Sequence, residues 1–230
     1  GERQAHQGGP DIHWLMGFGD NAMEEELINA KQYQEFLESK VVLATSCGLE
    51  IGPLDVNPIL KPHQRDGVVW AVRGGRRALF EAFGLGKTVQ QLEIERLILE
   101  RSKEGNGLGL IVCPLGVRQE FKRDAAMLNI PIAFVRTNDE IKQMQLIGQP
   151  TRIFLTNYES IREKKLDPRG FTVVSLDEAA ILRGFGGTKT FRELMGMFEG
   201  TGTYRFVATA TPSPNEYIEL LAYAAFLDIM

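Results

Sequence analysis

The stretch "ALFEAFGLGKTVQ", residues 78 to 90, constrains this chain more than any other. A short apolar run leads into a glycine-spaced turn, then Gly86-Lys87-Thr88, then a segment with helical spacing. A phosphate-binding loop needs that order: a buried strand, a turn where backbone N–H groups converge, and a helix whose N-terminus faces the anion. Gly84 and Gly86 supply the turn, Lys87 can reach the β- and γ-phosphates, and Thr88 can ligate Mg²⁺. The usual pattern G-x-x-x-x-G-K-[ST] has glycine where this chain has Glu81, so the loop departs at its first position. A chance Gly-Lys-Thr triplet is the alternative, and the strand before it and the helix after it argue against chance.

Such a loop works with an acidic element that holds the metal and sets up water. "VVSLDEAA", residues 173 to 180, is an apolar run ending in Asp177-Glu178, 90 residues after Lys87. Both carboxylates would leave the strand at its C-terminal end, where ligands sit in open α/β sheets. Asp177 is expected in the Mg²⁺ shell, and Glu178 as the general base or the residue that orients the attacking water. Taken alone, the pair could equally cap the next helix. A third element, "VATATPSPN" (207 to 215), reads as a strand ending in Thr209 and Thr211 before a proline turn.

From residue 60 onward the chain alternates. Strands are predicted at "RRALFEAF", "LGLIVCP", "PIAFVR", "TRIFLTNY", "FTVVSLDEA" and "TYRFVATATP". Helices are predicted at "LKPHQRDGVVWAVRGG", Thr88 to Arg101, "GVRQEFKRDAAML", "NDEIKQMQLI", "TFRELMGMF" and the tail "PNEYIELLAYAAFLDIM". Buried strands alternating with amphipathic helices predict an α/β fold, a mostly parallel sheet covered on both faces. Residues 1 to 57 read as an N-terminal extension. It has a glycine-rich start, a helix over 21–40 with Leu27, Ala30, Tyr33, Phe36 and Leu37 at helical spacing, and one or two strands in "KVVLATSCGLEI". Residues 58 to 230 read as the ATP-binding domain.

The net charge of −4 excludes a uniformly basic surface, so any nucleic-acid contact must be a local patch. Arg162, Lys164, Lys165 and Arg169 form one basic cluster, and Arg118, Lys122 and Arg123 another; each alone reads as a solvated face. Cys47 and Cys113 lie in apolar contexts without metal-ligand spacing and are expected to be buried, reduced thiols. His6, His13 and His63 lack ligand spacing. No apolar stretch reaches membrane-spanning length and no signal-peptide pattern opens the chain, so a cytoplasmic protein without a membrane partner is expected.

At these residues the chain resembles the first motor lobe of superfamily-two helicase-like ATPases, within them the Swi/Snf-like group, over about residues 58 to 227. "LKPHQRDGVVW" looks like the group's adenine-recognition element, "EAFGLGKT" its phosphate loop, "LIVCPLGVRQEFKRD" and "FLTNYESI" its backbone-contacting motifs. "LDEAA" looks like its acidic box and "ATATPSPN" like the element coupling nucleotide to DNA. The group's phosphate loop often lacks the first glycine, which accommodates Glu81. The arrangement looks closest to phage and prophage helicase-like proteins, which implies a bacterial or phage-infected host.

The resemblance implies a RecA-like, three-layer P-loop NTPase lobe that binds ATP and Mg²⁺ and acts on duplex DNA. It implies ATP contacts from Lys61, Gln64, Phe83, Gly84, Leu85, Gly86, Lys87, Thr88 and Val89, with Gln64 reading the adenine edge. It implies coupling through Thr209 and Thr211, and DNA-backbone contacts from Pro114, Arg118, Thr156 and Tyr158. Two departures stand out: the acidic box ends in Ala180 where the group has histidine, and Ala210 replaces a common glycine. The group's motors carry a second lobe with an arginine finger, so this chain is expected to be one lobe of a longer protein, to hydrolyse ATP poorly alone, and not to oligomerise. A catalytically silent nucleotide-binding scaffold and a different P-loop ATPase are the alternatives.

Overall fold

The structure is a computed structural model that describes residues 46–102, 106–179, 195–200, 202–212 and 220–229. The predicted helix over 21–40, Ala180, the start of the predicted helix "TFRELMGMF" and the start of the tail helix lie outside the described residues.

Chain order is α1 (Pro62–Gly74), β1 (Arg76–Phe80), α2 (Lys87–Arg101), β2 (Gly109–Val112), a 3-10 turn (Leu115–Val117) and α3 (Arg118–Leu128). There follow β3 (Ile132–Phe134), α4 (Asn138–Leu146), β4 (Ile153–Thr156), α5 (Tyr158–Arg162), β5 (Val173–Asp177), β6 (Tyr204–Thr209) and α6 (Leu220–Leu227). Pro62 opens α1 with its φ already set for a helix, and Gly75, at φ 75°, closes it with an N–H to the Ala71 carbonyl. Thr137 and Asn157 cap α4 and α5 by accepting the N–H groups of Glu140 and Ser160.

The strands form one sheet in the order β1-β6-β5-β2-β4-β3, and every adjacent pair is parallel. β2, β4, β5 and β6 are buried at every residue, as strands covered on both faces must be. Successive side chains divide between two cores. Val173 faces a core built with Leu92, Leu97 and Ile98 of α2, Val68 and Val72 of α1, and Phe121 of α3. Val174 faces the other, with Phe154, Tyr158, Ile161, Phe198 and Phe226. The predicted α/β parallel sheet is the observed one. Among the described residues no helix is long and apolar enough to cross a membrane.

Three local expectations differ. Residues 46–51 form no strand; the Cys47 and Leu49 N–H groups instead donate to the Gly74 and Val72 carbonyls at 3.1 and 3.0 Å. Those carbonyls end α1 and have no partner within the helix, so an extended segment beside them satisfies both sides. Cys47 is exposed, contrary to expectation, while Cys113 is buried. Tyr158, expected at the end of the strand "TRIFLTNY", instead opens the short helix α5.

Candidate functional site

β1 ends at Phe80 and α2 begins at Lys87, so residues 81 to 86 form the turn between them. Gly84 and Gly86 have φ of 82° and 84°, the left-handed region that side chains disfavour. Gly86 is also confined: a Cβ there would lie 2.2 Å from Gln64 Nε2. Gln64 is buried and committed at both ends. Its Oε1 accepts the Lys61 N–H and its Nε2 donates to the Leu85 carbonyl, both at 2.9 Å. The start of α1 is thereby latched to the crown of the loop.

Glu81, the departure from the usual glycine, has its carboxylate engaged by Gln90 of α2, Nε2 to Oε2 at 2.7 Å. Its N–H reaches the Thr209 carbonyl at 3.3 Å. The side chain is tied to the helix flank and is compatible with the loop. Lys87 Nζ donates to the carbonyls of Glu81 and Ala82 at 3.0 and 3.1 Å, bridging the turn from below. No side chain caps α2, so its first-turn N–H groups are open to an anion.

Asp177 is the last residue of β5, and its Oδ1 accepts from Gln91 Nε2 at 2.8 Å. Burial pushes its carboxyl up to about 6; the neighbouring Glu178 adds to this, while the Gln91 hydrogen bond and Lys87 oppose it. The Tyr158 hydroxyl donates to the Asp177 carbonyl at 2.8 Å. Glu178 has φ of 49°, a conformation that costs a non-glycine residue about 1–2 kcal/mol. The chain turns sharply there and leaves the Glu178 carboxylate beside Thr209, Oε1 to Oγ1 3.5 Å. Thr209 Oγ1 in turn accepts the Thr211 N–H at 3.2 Å.

The sheet order explains why these groups meet. β1, β6 and β5 are neighbours, with Phe80 opposite Thr209 and Asp177 opposite Ala208. Lys87, Thr88, Asp177, Glu178, Thr209 and Thr211 therefore gather along one C-terminal edge. Lys61 and Gln64 join them through the α1 latch. Phe83 and Leu85 are exposed on the crown. The Val89 side chain is in the core, so only its backbone faces the turn.

Two predicted nucleic-acid contacts do not hold for the side chains. Thr156 is fully buried, and Tyr158 is buried with its hydroxyl spent on the Asp177 carbonyl. Thr156 ends β4 facing inward, and Tyr158 opens α5 onto the core, where its hydroxyl supports the acidic corner from within. Pro114 and Arg118 flank the 3-10 turn and are partly exposed; the Arg118 guanidinium sits 4.9 Å from the Phe134 ring centre. In the 162–169 cluster, Lys165 pairs with Glu163 and Arg169 with Asp167, both at 2.6 Å, as a solvated face would.

Sequence reading missed Gln90, Gln91 and Glu95, which are buried on α2. The signal was present: Thr88, Gln91, Glu95 and Ile98 fall on one stripe of a helix, so two polar residues sit in line with a core position. Among the described residues no cluster of three His, Cys, Asp or Glu is assembled.

The profile of the SNF2-related domain matches residues 63–230. Among curated proteins, none matches the chain in sequence. The Sulfolobus solfataricus SWI2/SNF2 ATPase core, solved in complex with dsDNA, is similar with a TM-score of 0.61 and 20% identity over 77% of this chain. The UvsW helicase from Bacteriophage T4 is similar with a TM-score of 0.53 and 16% identity over 84% of this chain. The chain spans 37% of the first protein's length and 64% of the second's. The fold agrees with both, and the family profile takes in the glycine-turned loop, the acidic corner and β6: the chain belongs to the SNF2-related domain family.

Proposed function

We propose that this chain is the ATP-binding lobe of an ATP-dependent DNA helicase or translocase, coupling hydrolysis to movement on or remodelling of duplex DNA. One observation carries the reading: an uncapped, glycine-turned loop after β1 and the Asp177-Glu178 corner after β5 lie at the same edge of a parallel sheet, on the two strands that flank β6. The donor set fits Mg²⁺, since the Thr88 hydroxyl and Asp177 carboxylate are hard oxygen ligands. Mg²⁺ typically takes one or two protein carboxylates together with substrate phosphates. Bound Mg·ATP would supply the phosphoanhydride and the charge neutralisation of its leaving group.

The chain's own residues then have separate tasks. The first-turn N–H groups of α2 receive phosphate oxygens. Lys87 exchanges its two loop carbonyls for the β- and γ-phosphates. Gln64 keeps one Nε2 hydrogen beyond its bond to Leu85, and that hydrogen is the donor available to an adenine edge. Glu178 orients the attacking water and takes its proton, while Thr209 reports its position to the end of β6. Arg118 and the Pro114 turn offer a backbone-phosphate contact that grips without reading sequence. The similar archaeal core was solved with dsDNA, which supports DNA as the track. A second lobe would supply an arginine finger, worth on the order of 10³–10⁵ in turnover where such fingers act, so the isolated lobe should hydrolyse ATP slowly.

The test is Glu178→Gln in a protein carrying both lobes. Duplex-stimulated ATP turnover is expected to fall by roughly 10²–10⁴ while ATP binding persists. Unchanged turnover would favour the silent scaffold.

A further inference from the structure

Helix α2 sends two polar side chains into an otherwise apolar contact with β5. Gln91 and Glu95 are both buried there among Leu92, Ile98 and Val173. Gln91 Nε2 donates to Asp177 Oδ1 at 2.8 Å, and the Ser175 hydroxyl donates to Glu95 Oε1 at 2.7 Å. The spacing makes these two rungs of one ladder. Four residues of helix rise about 6 Å and two residues of strand about 6.6 Å, so both bonds fit without tilting either element.

The ladder is costly to build. Glu95 Oε2 and Gln91 Oε1 have no protein partner, and unpaired buried polar atoms oppose folding. Glu95 Oε2 occupies space that any side chain at position 109 would fill, since a Cβ on Gly109 would lie 2.1 Å from it. What the polar pair adds is direction: hydrogen bonds fix one rotamer and one register where an apolar contact would tolerate several.

We propose that Gln91 and Glu95 are positioning residues, two buried rungs that lock the strand carrying Asp177 to the helix carrying Lys87 and Thr88. Gln91 sets the rotamer of the Asp177 carboxylate, and Glu95 sets the strand two residues upstream. The phosphate loop and the Asp177 carboxylate then keep a fixed separation, as residues that would hold Mg²⁺ and nucleotide together require. The inference rests on the ATP-site reading of Asp177.

The test is calorimetric titration of ADP into this chain, once with excess Mg²⁺ and once with EDTA, for wild type, Gln91→Met, Ser175→Ala and Lys87→Ala. Methionine keeps the length and helix preference of Gln91 and removes the donor. Gln91→Met is expected to lose at least about tenfold of the gain in ADP affinity that Mg²⁺ confers, with the EDTA affinity unchanged, as removal of a residue that orients a metal ligand does. Ser175→Ala leaves Gln91 and Asp177 intact and reads the second rung even if Gln91→Met does not fold; a smaller loss of the same gain is expected. Equal losses with and without Mg²⁺ would mean a role in fold alone and would overturn the proposal, as would a full Mg²⁺ gain in both variants. Lys87→Ala binding ADP as the wild type does would overturn the ATP-site reading itself, an outcome distinct from any change at Gln91.

Discussion

The two faces of the sheet are built differently. Under α6 the core is aromatic: Phe198 meets Phe226 edge-on at 5.2 Å and Tyr223 lies 5.6 Å from Phe80, with Phe154 fully buried among them. Under α2 the core is mostly aliphatic, with Phe121 and Phe206 among its residues, and one helix inserts Gln90, Gln91, Glu93 and Glu95, all buried. Each has a partner that something other than packing must explain. Gln90 holds Glu81 at the loop, Gln91 holds Asp177, Glu95 meets Ser175, and Glu93 receives the Asn57 N–H and the Arg96 guanidinium. The aromatic face supplies stability through area and shape. The α2 face gives up some of that stability to fix the geometry of the C-terminal edge.

Truncating the aromatic face should produce the largest effect on folding and little on the site. Phe154→Ala is expected to lower the unfolding free energy by about 3–5 kcal/mol in urea denaturation, with nucleotide affinity of the folded chain preserved. A large loss of affinity in folded Phe154→Ala would show that the two faces cannot be separated.

The α2 face should instead reveal itself through pH. Burial pushes the Glu95 carboxyl up to about 8, the Ser175 hydrogen bond opposing only part of that shift. The native chain keeps this proton while the unfolded chain releases it, so the contribution is fully present below the ordinary carboxylate range and is lost as pH rises to about 8. Asp177 changes stability in the same direction but only up to about 6. The unfolding free energy from urea denaturation should therefore fall in the wild type by about 1.5–2 kcal/mol between pH 6.5 and 8, and stay flat in Glu95→Gln. A flat wild-type profile would mean that Glu95 is ionised in place.

The smallest expected effect sharpens the link between the α2 face and the loop. Gly86→Ala combines a left-handed φ with a Cβ 2.2 Å from Gln64 Nε2. It should weaken ADP binding by roughly tenfold, about 1–2 kcal/mol of strain. Measured in a Gln64→Ala background, where the added Cβ meets no Gln64 side chain, the further loss from Gly86→Ala should be smaller than in the wild-type background, because only the φ cost remains. An equal further loss in both backgrounds would indicate that the latch is not what confines the loop.

Much of this was legible in sequence because the fold announces itself in patterns of period 2 and 3.6. Runs such as "GLIV" and "VVSLD" could only be buried strands, and the glycine turn before Lys87 fixed which strand ends in the loop. Asp177 and Glu178 were readable as strand-end residues for the same reason. Residue type misled where a polar residue faces inward. Polarity alone sorts Gln64, Gln91 and Glu95 to the surface, yet each is buried with a hydrogen-bond partner that lies 21, 86 or 80 residues away. Tyr158 failed similarly: its ring belongs to the core and its hydroxyl to the Asp177 carbonyl, so a residue expected to face DNA works from behind the site. Residues 46–51 resemble a strand by composition but find their hydrogen bonds on the end of α1.

The most direct test of the central claim is calorimetric titration of Mg·ADP into this chain, wild type beside Lys87→Ala. Lys87 bridges the turn by donating to two carbonyls. The account predicts measurable saturable binding in the wild type and a loss of at least about tenfold, more than 1.4 kcal/mol, in the variant. Equal affinity in the two proteins, or no binding by the wild type, would contradict it.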